Sequence, residues 1–170
     1  MAMDQMSLYL QATTKRVWFP KGHRPIVRVS PQRDCQHWYG ALCLEKGQEV
    51  ALSVPAVNGE MTCHFLSHLL TAFPSQPILL FLDRAPWHRG EAIRQFLADN
   101  PRLQLLYFPP ACPQLNPQEH VWKAARQAVS HNHSCLNLPA LRQAFAHFLD
   151  TASFHFHWTD KFVPLNMCGA

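Results

Sequence analysis

The chain has 170 residues, 48% of them hydrophobic, with a formal net charge of +4 and a mean hydropathy of −0.15. These values describe an ordinary globular protein of one domain, long enough to bury roughly 70% of its unfolded surface. No apolar stretch approaches the ~20 residues of a membrane helix, and the start Met-Ala-Met-Asp lacks the features of a signal peptide. We therefore expect a protein of the cell interior that has no membrane partner.

The charge is unevenly distributed along the chain. No acidic residue lies between Asp4 and Asp34, whereas six basic residues do: Lys15, Arg16, Lys21, Arg24, Arg28 and Arg33. Such a strip suits a polyanionic partner. Charge alone fits a solvated basic hairpin equally well.

The opening third of the chain is rich in strand patterns. Strands are predicted at residues 6–10 (continuous with Met3 and Asp4), 16–19, 26–29, 37–44 and 49–54. Turns at Pro20-Lys21-Gly22 and Lys46-Gly47 separate neighbouring strands. Because these segments follow one another closely, we expect them to pair in the antiparallel sense.

After residue 60 the apolar residues recur at helical spacing. Helices are predicted at residues 61–73, 89–100, 119–130 and 138–149, with buried strands at 77–82 and 103–108. Three antiparallel strands followed by alternating helices and strands predict a ribonuclease-H-like α/β fold, a mixed central sheet flanked by helices. We assign residues 1–150 to this domain and residues 151–170 to a C-terminal tail.

Two carboxylates stand at the ends of predicted elements. Asp83 ends the apolar run 78–82, and Glu119 opens a predicted helix. Burying an ionised carboxylate costs several kcal/mol unless a cation or hydrogen bonds compensate it. For converging oxygen ligands, the usual compensation is Mg²⁺ or Mn²⁺. Asp4, near the chain start, is a third candidate ligand.

The predicted fold would bring these three acids together. Its first strand is central and neighbours the fourth, so Asp4 would approach Asp83, with the helix of Glu119 beside them. Two metal ions ~4 Å apart could then activate a water and stabilise a departing 3′ oxygen. The alternatives are an exposed terminal residue for Asp4 and a first-turn acid favoured by the helix dipole for Glu119.

The residues around these acids resemble the signature blocks of a known family. Residues 82–88 read Leu-Asp-Arg-Ala-Pro-Trp-His, and residues 108–123 read Phe-Pro-Pro-Ala-Cys-Pro-Gln-Leu-Asn-Pro-Gln-Glu-His-Val-Trp-Lys. Together with Asp-Gln-Met-Ser-Leu-Tyr at 4–9, Trp18 and Lys21-Gly22, they resemble DDE-superfamily transposases, particularly the mariner-like bacterial insertion-sequence enzymes (the six-thirty group). The resemblance spans roughly residues 3–130. It implies a DNA transposase catalytic domain whose catalytic and metal-binding triad is Asp4, Asp83 and Glu119.

The resemblance also implies cofactors and partners. These are two Mg²⁺ (or Mn²⁺) ions, the DNA of transposon ends and target, and a homodimer on that DNA in the bacterial cytoplasm, at the nucleoid. Two features depart from the family. Gln5 stands where a Glu is common, and only three residues precede Asp4, where the family carries helix-turn-helix modules. We therefore expect either a separate helix-turn-helix polypeptide or a truncated product.

Several residues near the triad are candidates for contact with DNA. His88 could touch the scissile phosphate or a metal-bound water, or cap the helix that begins near Arg89. Lys123, four residues after Glu119, could contact a phosphate or form an intrahelical pair with Glu119. Trp122 is expected in the core, and Asn116-Pro117 at the helix start. The remaining DNA candidates are Arg84, Lys15, Arg16, Lys21 and Arg24.

Two other readings remain open from sequence. The chain could be a ribonuclease-H-like nuclease or a junction resolvase, or a catalytically silent remnant that binds DNA or protein. The six cysteines lack a CxxC pair and are expected to be reduced and mostly buried. His131, His133 and Cys135 favour a polar loop over structural zinc.

Overall fold

The computed structural model describes residues 1–23, 26–27, 29 and 31–155 and contains one five-stranded sheet. The strands are β1 (Ala2–Tyr9), β2 (Cys35–Cys43), β3 (Gln48–Val54), β4 (Ile78–Leu82) and β5 (Leu103–Tyr107). The α-helices are α1 (Gly59–Ala72), α2 (Glu91–Asp99), α3 (Gln118–Ala125) and α4 (Leu138–Thr151). Short 3₁₀ helices span Pro86–His88 and Pro113–Leu115, and a π-helical turn at Arg126–Ser130 extends α3.

The strand order is β3-β2-β1-β4-β5. β1 runs antiparallel to β2, with Asp4 opposite Gly40, and β2 runs antiparallel to β3. β1 and β4 are parallel, as are β4 and β5. This confirms the predicted mixed sheet, with the first strand in the centre and the fourth strand beside it.

Each face of the sheet carries its own hydrophobic core. Successive side chains of a strand point to opposite faces, so β1 contributes Met3 to one core and Leu8 to the other. The first core is closed by α1 and α2, and the second by α3 and α4. Burying a large apolar side chain contributes about 1.5–3 kcal/mol. Two-sided burial therefore anchors β1 firmly in the middle of the sheet.

The prediction of a strand at residues 16–19 is wrong. This segment contains no regular structure, and Trp18 is fully exposed. The physical reason is that no sheet edge is free nearby: β1 is flanked by β2 and β4, and β2 by β1 and β3. The strand predicted at 26–29 fails in the same way at Ile26, Val27 and Val29, while Arg28 lies outside the described residues.

The predicted tail at 151–170 is described only as far as residue 155. Thr151 is the last residue of α4, and the Phe154 side chain is buried in the second core. The Phe154 backbone N–H also donates to the carbonyl of Gly47 in the β2–β3 turn, at 2.8 Å. Within the described ranges, no helix is long and apolar enough to cross a membrane.

Candidate active site

Three carboxylates line one pocket of about 290 Å³ beside the C-terminal end of β4. Asp4 comes from the central strand β1, Asp83 directly follows β4, and Glu119 lies in the first turn of α3. Much of the remaining wall is the proline-rich loop at 108–113. The sheet order places β1 beside β4, so residues far apart in sequence meet here.

Burial and neighbouring charges perturb the Asp4 carboxyl. Burial is the main cause that raises its pKa, and Glu119 and then Asp83 add repulsion, so that the pKa rises from 3.8 to about 7. The indole N–H of Trp122 makes no hydrogen bond of normal geometry, but its position near the carboxyl lowers the pKa of Asp4. Glu119 and Asp83 therefore repel the Asp4 carboxylate within the pocket, and a cation bound there would reduce this repulsion.

One oxygen of the Asp83 carboxylate is held by hydrogen bonds. Its Oδ1 accepts hydrogen bonds from the backbone N–H of Ala85 at 3.0 Å and from His88 Nδ1 at 2.7 Å. The His88 side chain is fully buried, whereas that of Asp83 is 54% exposed. Burial lowers the pKa of His88, although Asp83 pulls this pKa upward. The contact is therefore a hydrogen bond from a neutral imidazole.

Glu119 is positioned by the residue that precedes the helix. Buried Asn116 donates from Nδ2 to the Met3 carbonyl at 3.1 Å, and its Oδ1 accepts from the Gln118 N–H at 3.1 Å. The Glu119 N–H donates to the Asn116 carbonyl at 3.2 Å. The start of α3 is thus tied directly to the residue before Asp4, and the predicted role of Asn116 at the helix start is confirmed.

A buried polar cluster supports the same helix turn. Gln118 Nε2 donates to Glu49 Oε1 at 2.6 Å, and burial raises the pKa of the Glu49 carboxyl well above its usual value. Gly40 allows this contact, because a Cβ there would lie 2.5 Å from Trp122 Cη2 and 2.6 Å from Gln118 Nε2. The expectation that Trp122 belongs to the core is confirmed.

Sequence reasoning missed three members of this cluster. Glu49 and Gln118 look like ordinary polar residues of a strand and a helix start. Gly40 carried a usable signal, because a glycine inside a strand pattern often marks a close approach of another group.

The other predicted site residues are dispersed. Arg84 lines the pocket, and its Nε donates to the Phe108 carbonyl at 3.3 Å. Lys123 is exposed, and the ion pairs formed by described residues, His88–Asp83 and Arg94–Glu91, do not include it. Lys15, Arg16 and Lys21 are exposed on the irregular segment after β1, and Arg24 lies outside the described residues.

The donor chemistry of the pocket fits a hard divalent cation, because carboxylate oxygens are the ligands that Mg²⁺ and Mn²⁺ prefer. In the described part of the chain, no three His, Cys, Asp or Glu side chains stand close enough together to form a ready-made metal site.

The cysteines are more exposed than predicted. Cys35, Cys43, Cys63, Cys112 and Cys135 are free thiols, but each is only half-buried, and Cys168 lies outside the described residues. In the His131–Cys135 segment, the Cys135 N–H donates to His133 Nδ1 at 3.1 Å.

A mixed sheet of this order, with helices on both faces and acids at its centre, defines the ribonuclease-H-like class of α/β proteins. Residues 1–142 match the family model described as DDE superfamily endonuclease. The chain belongs to that family, as its sequence blocks predicted.

Two curated relatives are each covered only in part by this chain. The IS630 insertion element 39 kDa protein of Shigella sonnei is 22% identical over 151 residues, covering 88% of this chain and 44% of the relative. The protein y4pE/y4sA of Sinorhizobium fredii is 32% identical over 89 residues, covering 52% of this chain and 63% of the relative. The chain thus spans about half the length of these relatives.

Solved structures show the same fold. A Mos1 transposase paired-end complex with the left transposon end gives a TM-score of 0.70 at 14% identity, covering 93% of this chain and 49% of that one. The catalytic domain of Mos1 mariner transposase gives 0.62 at 12% identity, covering 93% and 72%. This likeness confirms the predicted ribonuclease-H-like fold.

Proposed function

We propose that this chain is the catalytic domain of a DNA transposase that cuts phosphodiester bonds at transposon ends and joins the ends to target DNA. The observation that carries this proposal is the convergence of Asp4, Asp83 and Glu119 on one pocket. Membership of the DDE superfamily endonuclease family supports it. The fold shared with Mos1 complexes that contain transposon ends gives further support.

Asp4, Asp83 and Glu119 are the proposed ligands of two divalent ions, Mg²⁺ or Mn²⁺. Mos1 mariner paired-end complexes have been solved with each of these metals. When bound, such ions stabilise charge on phosphate oxygens and lower the pKa of an attacking water. The raised pKa of Asp4 supports the assignment, because a cation would replace the proton that this carboxyl otherwise retains.

The protein's own residues would bind and orient the DNA. Arg84 lies at the pocket wall beside Asp83, where a guanidinium suits a phosphate. Exposed Lys123, Lys15, Arg16 and Lys21, together with Arg24, are proposed to contact the DNA backbone. Because the IS630 39 kDa protein and the Mos1 chain are longer than the region matched here, a helix-turn-helix part, on this or another polypeptide, is also proposed. A homodimer on DNA is proposed as well, and the paired-end complex of Mos1 supports it.

The Asp83→Asn substitution tests the catalytic assignment. It removes the ligand charge but keeps the side-chain shape, so Mg²⁺- or Mn²⁺-dependent nicking and strand transfer should be abolished while circular dichroism stays that of the folded protein. Asp150→Asn, an exposed change at the end of α4, is the matched control and should retain activity. Undiminished activity of Asp83→Asn would contradict the proposal.

The same assays separate the alternatives. Cleavage of RNA–DNA hybrids or of DNA junctions, without action on transposon-end DNA, would indicate a ribonuclease-H-like nuclease or a resolvase. A folded protein that shows no Mn²⁺ binding by titration calorimetry would indicate a catalytically silent remnant.

A further inference from the structure

A chain of hydrogen bonds connects the central strand to Asp83. Trp87 Nε1 lies 2.8 Å from Gln5 Oε1, and Gln5 Nε2 lies 2.7 Å from His88 Nε2. The other ring nitrogen, His88 Nδ1, lies 2.7 Å from Asp83 Oδ1 and 3.1 Å from the Asp83 backbone carbonyl oxygen. Gln5 follows Asp4 in β1, so its side chain leaves the opposite face of the sheet, toward the loop after β4.

The donor and acceptor of each of these hydrogen bonds follow from the contact between Trp87 and Gln5. An indole N–H can only donate, so the Gln5 atom that faces Trp87 must be the carbonyl oxygen. The amide nitrogen of Gln5 then faces His88, and because an NH₂ group can only donate, His88 Nε2 must accept. A neutral imidazole that accepts at Nε2 carries its proton on Nδ1, where it is donated to Asp83.

We propose that Gln5, which donates to Nε2, and the Asp83 backbone carbonyl, which accepts from Nδ1, keep the proton of His88 on Nδ1, and that Gln5 and His88 are thereby positioning residues for Asp83. The positioning role rests on the proposed function of Asp83 as a metal ligand, whereas the proton assignment does not. His88 and the Ala85 N–H both engage Oδ1 of Asp83, so neither donor occupies Oδ2. The complete burial of His88 assigns this ring to Asp83 rather than to a DNA phosphate.

The identity of residue 5 determines whether His88 Nε2 accepts or donates. A glutamate at position 5, which is common in the family that this sequence resembles, would present only hydrogen-bond acceptors to Trp87 and His88. His88 Nε2 would then have to donate, although Nδ1 still faces two acceptors, Asp83 Oδ1 and the Asp83 carbonyl oxygen, so the ring would gain a second proton or transfer its proton from Nδ1 to Nε2. Gln5→Glu is thus a nearly isosteric change that should convert His88 Nε2 from a hydrogen-bond acceptor to a donor.

Nitrogen NMR of the metal-free protein tests the proton assignment. In protein labelled with ¹⁵N-histidine, the two-bond proton–nitrogen pattern of His88 should show Nδ1–H, and Gln5→Glu should convert it to Nε2–H or to the doubly protonated ring. The signal is assigned by its loss in His88→Gln or, if that variant unfolds, by through-bond correlation to the backbone. Gln104→Glu, the same change on exposed β5, should leave it unaltered. An Nε2–H ring in the natural protein, or an unchanged pattern in Gln5→Glu, would overturn the proposal.

Metal binding tests the positioning role. Gln5→Leu removes both hydrogen bonds of this side chain, so Mn²⁺ affinity, measured by calorimetry, should fall by about tenfold or more, as is usual for outer partners of metal ligands. Unchanged affinity would overturn the positioning role. If the natural protein binds no Mn²⁺, the proposed function fails and the positioning role fails with it, while the NMR result still decides the proton assignment.

Discussion

At the scale of single residues, Asp4 couples the candidate site to the stability of the fold. Its pKa is raised from 3.8 to about 7, chiefly by burial and then by Glu119 and Asp83. The folded protein therefore keeps a proton that the unfolded chain releases between these two values. Where the folded state binds more protons, stability falls as pH rises. Asp4 thus destabilises the metal-free protein increasingly from pH 4 to pH 7, and by a constant amount above that.

The Asp4→Asn variant should lack this dependence. Relative to the natural protein, we expect it to gain stability on going from pH 4 to pH 8, by up to about 4 kcal/mol at 1.36 kcal/mol per pKa unit. Urea unfolding without divalent ions, at both pH values, measures the gain, and Asp150→Asn serves as the control. A stability difference between Asp4→Asn and the natural protein that does not change with pH would contradict the assigned cause.

Individual site residues differed in how far sequence could predict them. The placement of Asp83 and Glu119 in the pocket could be predicted because Asp83 follows an apolar run and Glu119 opens a helix, and a carboxylate in such a place requires an explanation. Gln5 and Glu49 could not, because their roles come from partners about 70 to 80 positions away, His88 and Gln118. Nothing local distinguishes a glutamate that is buried and hydrogen-bonded from one that is solvated.

At the scale of elements, the placement of α3 depends on close contact with β2. Gly40 lies opposite Asp4 on the neighbouring strand, and its missing side chain leaves room for Trp122 and Gln118. Asn116 joins the same helix to β1 through the Met3 carbonyl. The first turn of α3 is therefore held by the two central strands, which fixes where Glu119 enters the pocket.

The Gly40→Ala variant tests this dependence. The added Cβ would collide with Trp122 and Gln118, so we expect a loss of about 1–3 kcal/mol in the free energy of unfolding, as for overpacked cores. Gly59→Ala is the matched control, because a Cβ there would meet nothing closer than 3.9 Å. Urea unfolding of both variants gives the comparison, and equal stabilities would show that α3 can shift without cost.

At the scale of the whole molecule, the second core connects α4 to the site. Phe145 is fully buried, with ring centroids 5.4 Å from Trp38 and 6.4 Å from Trp122. Trp122 in turn lies against Gly40, the residue paired with Asp4. Packing of α4 therefore supports the strand that carries Asp4.

The Phe145→Ala variant should reveal this support. Removing a buried phenyl ring leaves a cavity and typically lowers stability by 3–5 kcal/mol. Leu136→Ala, at a side chain that is 90% exposed, should change stability by no more than about 0.5 kcal/mol. Thermal and urea unfolding measure both, and a loss below about 1 kcal/mol for Phe145→Ala would contradict the assigned role of this core.

Apart from two strands predicted in error at 16–19 and 26–29, the sequence by itself determined the order of strands and helices, the ribonuclease-H-like class and the family, because apolar periodicity, turn residues and motif blocks are local signals. Only the tertiary structure decided that residues 16–19 form no strand. Strand pairing requires a free sheet edge nearby, and the local sequence around Val17 and Phe19 carries no information about whether such an edge exists. It likewise decided the environment of Asp4, the contacts of Gly40 and the link from Gln5 through His88 to Asp83. Each of these arises between segments distant along the chain, where burial, charge and hydrogen-bond direction act only after folding brings the segments together.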